Sequence, residues 1–97
     1  MASTTISRLQ EWYASQCDGD WEDDYGVRLE TLDNPGWSLT INLEGTTLEG
    51  EPFSTIRREG SEHDWVVCEI KEGRFEGRCG PLNLGEMLDA FLEWAAE

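Results

Sequence analysis

The sequence has few positive charges. Only seven of its 97 residues are Lys or Arg, against 21 Asp or Glu, which gives a formal net charge of −14. Such a chain repels phosphate backbones and attracts cationic partners at rates that depend on salt. We therefore expect a protein that does not bind nucleic acid and whose partner is basic.

Long hydrophobic runs are also absent. No segment approaches the roughly 20 apolar residues that span a bilayer, and Met1 to Gln10 lacks the basic start and apolar run of a signal peptide. The three cysteines are odd in number and lack the spacing of metal ligands, which favours reduced thiols in a reducing compartment. We expect one cytoplasmic domain over residues 1–97, with no membrane contact, no metal and no cofactor.

Residues for catalysis are scarce as well. The only histidine, His63, lies in a polar turn between Glu62 and Asp64, so no nucleophile, base and orienting group stand together. Cys17 adjoins Asp18, and a neighbouring carboxylate disfavours the thiolate, so we predict a buried structural thiol at a helix end. The sequence indicates a protein that is not an enzyme.

Two segments have the apolar spacing of helices. Residues 4 to 17 place apolar side chains three and four apart, with an N-cap available from Ser3 to Thr5. From Leu84 onward a wide apolar stripe predicts a helix that packs on a sheet, and Asn83 with Glu86 fits a capping box.

Between the helices the apolar period is two, which is typical of strands. The predicted strands are residues 27–31, 37–43, 53–59, 65–70 and 74–79. Keeping apolar residues on one face fixes the register of the first hairpin, and a two-residue turn at Glu72-Gly73 fixes that of the last. These two registers oppose Val27 with Ile41, Leu29 with Leu39, Thr31 with Trp37, Val66 with Cys79, Cys68 with Gly77, and Ile70 with Phe75. The expected fold is α+β: an N-terminal helix, an antiparallel meander of about five strands and a C-terminal helix packed on the sheet.

The most unusual stretch is residues 17–26, which hold five carboxylates and two large aromatics. Carboxylates are almost never buried unpaired, and aromatics with a polar tip suit contact surfaces, so we predict an exposed loop that touches a partner. We add Trp12, which lies just before this stretch. The candidate binding residues are Trp12, Asp18, Asp20, Trp21, Glu22, Asp23, Asp24 and Tyr25.

Two other interpretations of this stretch remain open. A calcium loop is disfavoured because Asp23 stands at the sixth position, where that loop needs glycine, and Leu29 at the twelfth, where it needs Glu. A run of acids that is merely solvated is the commoner outcome for such a composition.

The chain resembles the immunity protein 53 family, the antitoxins of bacterial polymorphic toxin systems. The resemblance is carried by Leu9-x-x-Trp12-Tyr13-x-x-x-Cys17-Asp18-Gly19-Asp20-Trp21-Glu22-x-x-Tyr25-Gly26-Val27 and by Thr31-Leu32-Asp33-Asn34-Pro35-Gly36-Trp37. It resumes at Asp64-Trp65, at Phe75-Glu76-Gly77 and in the last helix. It implies an α+β fold and a partner, the toxin encoded beside the protein.

These observations lead to one functional hypothesis and one alternative. The hypothesis is an immunity protein that neutralises its toxin by stoichiometric contact, with aromatic anchors in a pocket and carboxylates on basic residues. Were the toxin a nuclease, an acidic surface could occupy its basic cleft. The alternative is a small cytoplasmic enzyme or metal-dependent module that uses the acidic loop.

Overall fold

A computed structural model describes residues 4–24 and 26–97, without the side chain of Asp24. The helices are α1 (Thr5–Gln16), the single turn α2 (Trp21–Asp24) and α3 (Leu84–Ala95). The strands are β1 (Val27–Leu32), β2 (Gly36–Asn42), β3 (Ile56–Ser61), β4 (Asp64–Lys71) and β5 (Arg74–Cys79). The expected helix, five-stranded antiparallel sheet and packed C-terminal helix are confirmed.

Helix α1 begins and ends within one residue of its predicted bounds. The Thr4 hydroxyl accepts a hydrogen bond from the Ser7 amide at 3.0 Å, which caps the first turn. The helix has no fully buried residue and lies on the outside of the core. It is tied to α3 by the Thr5 hydroxyl, which donates to the Asp89 carboxylate at 2.7 Å.

All five strands form one antiparallel sheet in the order β1-β2-β5-β4-β3. Both predicted registers are confirmed, from Leu29 opposite Leu39 in one hairpin to Cys68 opposite Gly77 in the other. The order departs from a simple meander in one place, since β2 lies beside β5 rather than β3. Residues 43–55 carry the chain from the end of β2 to the far edge of the sheet.

The predicted start of β3 at Phe53 is wrong by three residues, because Phe53 serves the core instead. Its ring packs edge-on against Phe75 and Trp94, with centroids 5.4 and 5.1 Å apart. The indole N–H of Trp94 also donates to the Pro52 carbonyl at 2.8 Å, which fixes this segment beside α3 before the strand begins.

The predicted capping box at α3 is also wrong. The Asn83 side chain makes no capping bond to the helix. Its oxygen accepts from the Trp65 amide at 3.3 Å, and its amide donates to the carboxylates of Asp64 and Glu86. The Arg58 guanidinium contacts the same two carboxylates, at 2.8 and 2.6 Å. Asn83 therefore joins the start of α3 to β4.

The core lies between α3 and one face of the sheet. Its largest fully buried side chains come from β2, β4, β5 and α3, and they include Leu39, Ile41, Phe75, Met87 and Phe91. Tyr25 and Met1 to Ser3 lie outside the described residues. Among the helices that the structure describes, none is long and apolar enough to cross a membrane.

Gly77 permits this close packing of helix on sheet. A Cβ at Gly77 would lie 2.9 Å from the Met87 sulfur and 3.3 Å from the Phe75 ring. We therefore expect Gly77→Ala to lower the free energy of unfolding by about 1–3 kcal/mol through overpacking. Gly85, in α3, has open space around its Cβ position, so Gly85→Ala should leave stability unchanged or raise it by up to about 1 kcal/mol. Denaturant unfolding of both variants checks this, and equal losses would contradict the packing argument.

Candidate functional site

The acidic stretch is not the open loop that its composition predicted, because it contains the helical turn α2. The Asp18 carboxylate accepts hydrogen bonds from the amides of Asp20 and Trp21, both at 3.0 Å. These bonds satisfy N–H groups at the start of the turn that no backbone carbonyl reaches. Asp18 is therefore the cap of α2.

Glu22 closes the same loop from the other end. One carboxylate oxygen accepts from the Asp18 amide at 2.8 Å, and the other accepts from the Gly19 amide at 2.7 Å. We call the paired carboxylates of Asp18 and Glu22 the carboxylate clasp. Gly19 has a φ of 98°, a conformation that glycine adopts without steric cost, so the loop can bend tightly enough to close.

The clasp lowers the pKa of both its carboxyl groups. For Asp18 the causes are the N–H groups of Trp21 and then Asp20. For Glu22 the causes are its own backbone N–H and then those of Asp18 and Gly19. Hydrogen bonds to the ionised form favour that form, so both carboxylates stay charged in acid where free ones would be protonated.

Trp21 lies in the core, with 3% of its surface exposed, so the prediction that this aromatic stands in an exposed loop is wrong. Its indole N–H donates to the Asn42 carbonyl at 2.8 Å, which satisfies the polar tip inside the protein. Trp12 is half-buried and packs edge-on against Trp21 and Phe91, with centroids 5.7 and 4.8 Å apart. Both tryptophans join the acidic stretch to the core.

Asp20 and Asp23 are exposed, and in residues 4–24 and 26–97 neither carboxylate has a hydrogen bond or an ion pair. Asp24 lies in α2, but its side chain is not described, and Tyr25 is outside the described residues. The eight candidates therefore divide. Four of them hold the turn α2 in place against the core: Asp18, Glu22, Trp12 and Trp21. Asp20 and Asp23 are exposed on that turn.

Tyr13 was missed by the sequence reasoning. It is 38% exposed, and its ring packs against Trp21 with centroids 5.6 Å apart. Its position on the apolar stripe of α1 suggested a core role. Beside the acidic stretch, Tyr13 is therefore an exposed aromatic, whereas Trp21 is buried and Trp12 is half-buried.

Gln16 and Thr47 also escaped prediction, because they pair across 31 residues. The Thr47 amide donates to the Gln16 side-chain oxygen at 3.1 Å, and the Gln16 amide donates to the Thr47 hydroxyl at 3.3 Å. This pair holds residues 43–55 against the end of α1.

The sequence did contain a signal for the carboxylate clasp. Asp18 is followed four residues later by Glu22, which resembles a capping box with one extra residue.

Charge is segregated between the two sides of the molecule. The open face of the sheet carries five of the seven basic residues: Arg28, Arg57, Lys71, Arg74 and Arg78. Only four of the 21 acids share that face, namely Glu30, Glu59, Glu69 and Glu76. The helices, loops and turns carry nearly all the remaining negative charge. A cationic partner is therefore drawn to the helix and loop side.

The three thiols divide into one exposed and two buried. Cys17 is exposed and donates to the Tyr13 carbonyl at 3.3 Å, so the predicted burial of Cys17 is wrong. It lies just beyond α1, where the chain turns outward into the acidic loop. Burial raises the pKa of Cys68 to about 12 and that of Cys79 to about 11, which makes both unreactive.

Among the described residues, no three His, Cys, Asp or Glu side chains are grouped closely enough to hold a metal ion. The alternating acids of the calcium-loop interpretation are used in another way. One oxygen of Asp18 and both oxygens of Glu22 accept from backbone N–H groups of the chain itself, so these three oxygens are not turned toward a common centre.

Opening the clasp should destabilise the fold. In Glu22→Gln an amide nitrogen must replace one acceptor oxygen and would face an N–H donor, so we expect a melting temperature several degrees lower at pH 7. Asp23→Asn, which removes the same charge one residue away without touching a hydrogen bond, should melt like the unchanged protein. Equal melting temperatures for all three proteins would contradict a structural role for Glu22.

The pH dependence of this effect follows from the lowered pKa values. Stability from the clasp is complete above the ordinary values of 3.8 for Asp and 4.5 for Glu, and it is lost as pH falls through the lowered folded-state values. The gap in melting temperature between the unchanged protein and Glu22→Gln should therefore narrow below about pH 4. A difference in melting temperature that widens in acid would contradict the lowered pKa values.

Thiol labelling should separate Cys17 from the other two cysteines. We expect one exposed thiol of the native protein to react before unfolding, and the two buried thiols to react only on unfolding. Cys17→Ser should remove the fast phase without changing stability. Three slow thiols in the native protein would contradict the exposure of Cys17.

No curated protein and no solved structure matches the chain significantly. The family model described as immunity protein 53 matches residues 6–96, which include all of α1 but its first residue, the acidic stretch, all five strands and α3. The chain belongs to the immunity protein 53 family.

Proposed function

We propose that this protein binds a cognate toxin in the cytoplasm and neutralises it by stoichiometric contact, not by catalysis. Membership of an immunity protein family implies a toxin as the partner. The observation that supports the acidic surface as the contact is the exposure of Asp20 and Asp23. Both carboxylates stand without a partner in the described chain, on a turn that other residues hold in place.

The turn is ordered before the toxin arrives. The carboxylate clasp fixes its backbone, and the Trp21 indole fixes its position over the core. Binding through a pre-ordered segment loses less conformational entropy than binding through a flexible loop. Asp20 and Asp23 can therefore pair with toxin cations at little ordering cost.

The toxin surface that fits this site is basic. The net charge of −14 accelerates encounter with a cationic partner, and local carboxylates then fix the register of the complex. A nuclease has such a surface in its substrate cleft, so blocking of that cleft is the inhibition mode that the charge favours.

An aromatic contact is supplied by Tyr13 rather than by Trp21. Its partly exposed ring lies next to the turn, and aromatic side chains with a polar tip are common at the centres of protein interfaces. Trp21 packs against this ring, and Trp12 packs against Trp21 in turn. The aromatic part of the proposed surface is thus one residue, backed by two that belong to the core.

The double variant Asp20→Asn/Asp23→Asn tests the proposal. It removes two exposed charges that have no partner in the described chain, so the free energy of unfolding should hold, while affinity for the toxin should fall about tenfold or more. The loss should come mainly from slower association at low ionic strength, because steering acts before contact.

A matched control removes the same charge at the other end of the sheet. Asp33→Asn/Glu62→Gln changes the two hairpin turns at the end of the sheet away from Gly26 and Asn42. This variant should bind almost as well as the unchanged protein. If both double variants weaken binding equally, total charge and not the acidic stretch governs affinity. If neither does, the contact surface lies elsewhere.

A further inference from the structure

The two edges of the sheet are unequal. Strand β3 is protected by a register shift between Glu59 and Ser61 and by Arg58, whose guanidinium reaches over to Glu86 on α3. Strand β1 has no shift and no proline, and its residues 28–31 are exposed. Natural proteins usually blunt such edges, because an open edge pairs with another strand.

The backbone groups that β1 presents can be assigned. The Asn42 amide donates to the Gly26 carbonyl at 3.3 Å, so the ladder with β2 includes a bonded pair just before Val27. Bonded and non-bonded pairs alternate along antiparallel strands. Arg28 and Glu30 therefore bond inward to β2, while Val27, Leu29 and Thr31 turn their N–H and C=O groups outward.

This outward row fits a second copy of itself. A two-fold axis at Leu29 places Leu29 opposite Leu29 of the second copy and Val27 opposite Thr31 of the second copy, so every pair joins outward-facing residues. On the open face of the sheet, Arg28 then opposes Glu30 of the second copy, and Glu30 opposes Arg28 of the second copy. On the helix side the two Leu29 side chains, each 41% exposed in one copy, meet.

We propose that two copies pair through β1 to form an antiparallel dimer with one continuous ten-stranded sheet. The occupant of the edge is a second copy because the register, the outward hydrogen-bonding groups and the charges of β1 are self-complementary. Within the described residues neither Arg28 nor Glu30 has an ion-pair partner, so both are available to the second copy. The dimer goes beyond toxin neutralisation and does not depend on it.

The dimer should be weak. One strand pairing of five residues from each copy buries less surface than the roughly 1,600 Å² of a standard interface, and two molecules of charge −14 repel. We expect a dissociation constant in the micromolar range. Equilibrium sedimentation of the full chain at ~150 mM salt, where charges beyond about 8 Å are screened, measures it. The mass should rise with concentration from 11.0 kDa toward twice that value.

Charge swaps identify the edge. Arg28→Glu alone sets Glu against Glu and Glu30→Arg alone sets Arg against Arg, so each should weaken the dimer at least tenfold. The double swap Arg28→Glu/Glu30→Arg should restore it, and an equimolar mixture of the two single variants should form a heterodimer. Arg57→Glu, on the opposite edge strand, is the control and should leave the dimer as it is.

We expect each variant to fold, because all the changed side chains are exposed. Near-UV circular dichroism checks this. A protein that stays monomeric at high concentration overturns the proposal, as does a dimer that survives both single swaps. Failure of the mixed variants to associate also overturns it. A monomer whose toxin binding is lost in both single swaps would show that the toxin, and not a second copy, occupies the edge.

Discussion

The structure of this protein depends on burying the Trp21 indole in the middle of a highly acidic segment. An indole has a large apolar surface to bury and one N–H that needs an acceptor, which the Asn42 carbonyl provides. Holding the indole there requires a tight turn in a run of mutually repelling carboxylates. Asp18 and Glu22 solve this by accepting four backbone N–H bonds, so two negative charges stabilise the turn instead of opposing it.

Burial of Trp21 also determines what the rest of the segment can do. Through Trp12 the indole is linked to Phe91 of α3, and through Asn42 it is linked to the end of β2. The acidic stretch is thus attached to a helix layer and to the sheet at once. Asp20 and Asp23 project from a rigid base. Some of the residues that suggested a binding surface hold the turn in place, and others are exposed on it.

Much of the fold could be predicted because it rests on period and side-chain volume. Alternating apolar residues predicted the register of the first hairpin, the two-residue turn at Glu72-Gly73 predicted that of the last, and the spacing of apolar residues placed α1 and α3. The division of the site could not be predicted in this way. In the composition, Asp18 and Asp20 are two equivalent negative charges. In the described part of the structure their roles differ, because backbone N–H groups lie within reach of the Asp18 carboxylate but not of the Asp20 carboxylate. The late start of β3 and the exposure of Cys17 likewise depend on contacts between distant parts of the chain.

The carboxylates of Asp18 and Glu22 are held by the loop's own backbone, and an NMR titration that follows the amide protons of Asp18, Gly19 and Trp21 can test this. We expect these amides to be protected from exchange at neutral pH. We also expect them to shift together in acid, with a midpoint below the ordinary carboxyl pKa values of 3.8 and 4.5. Rapid exchange, with titration at the ordinary values, would contradict it.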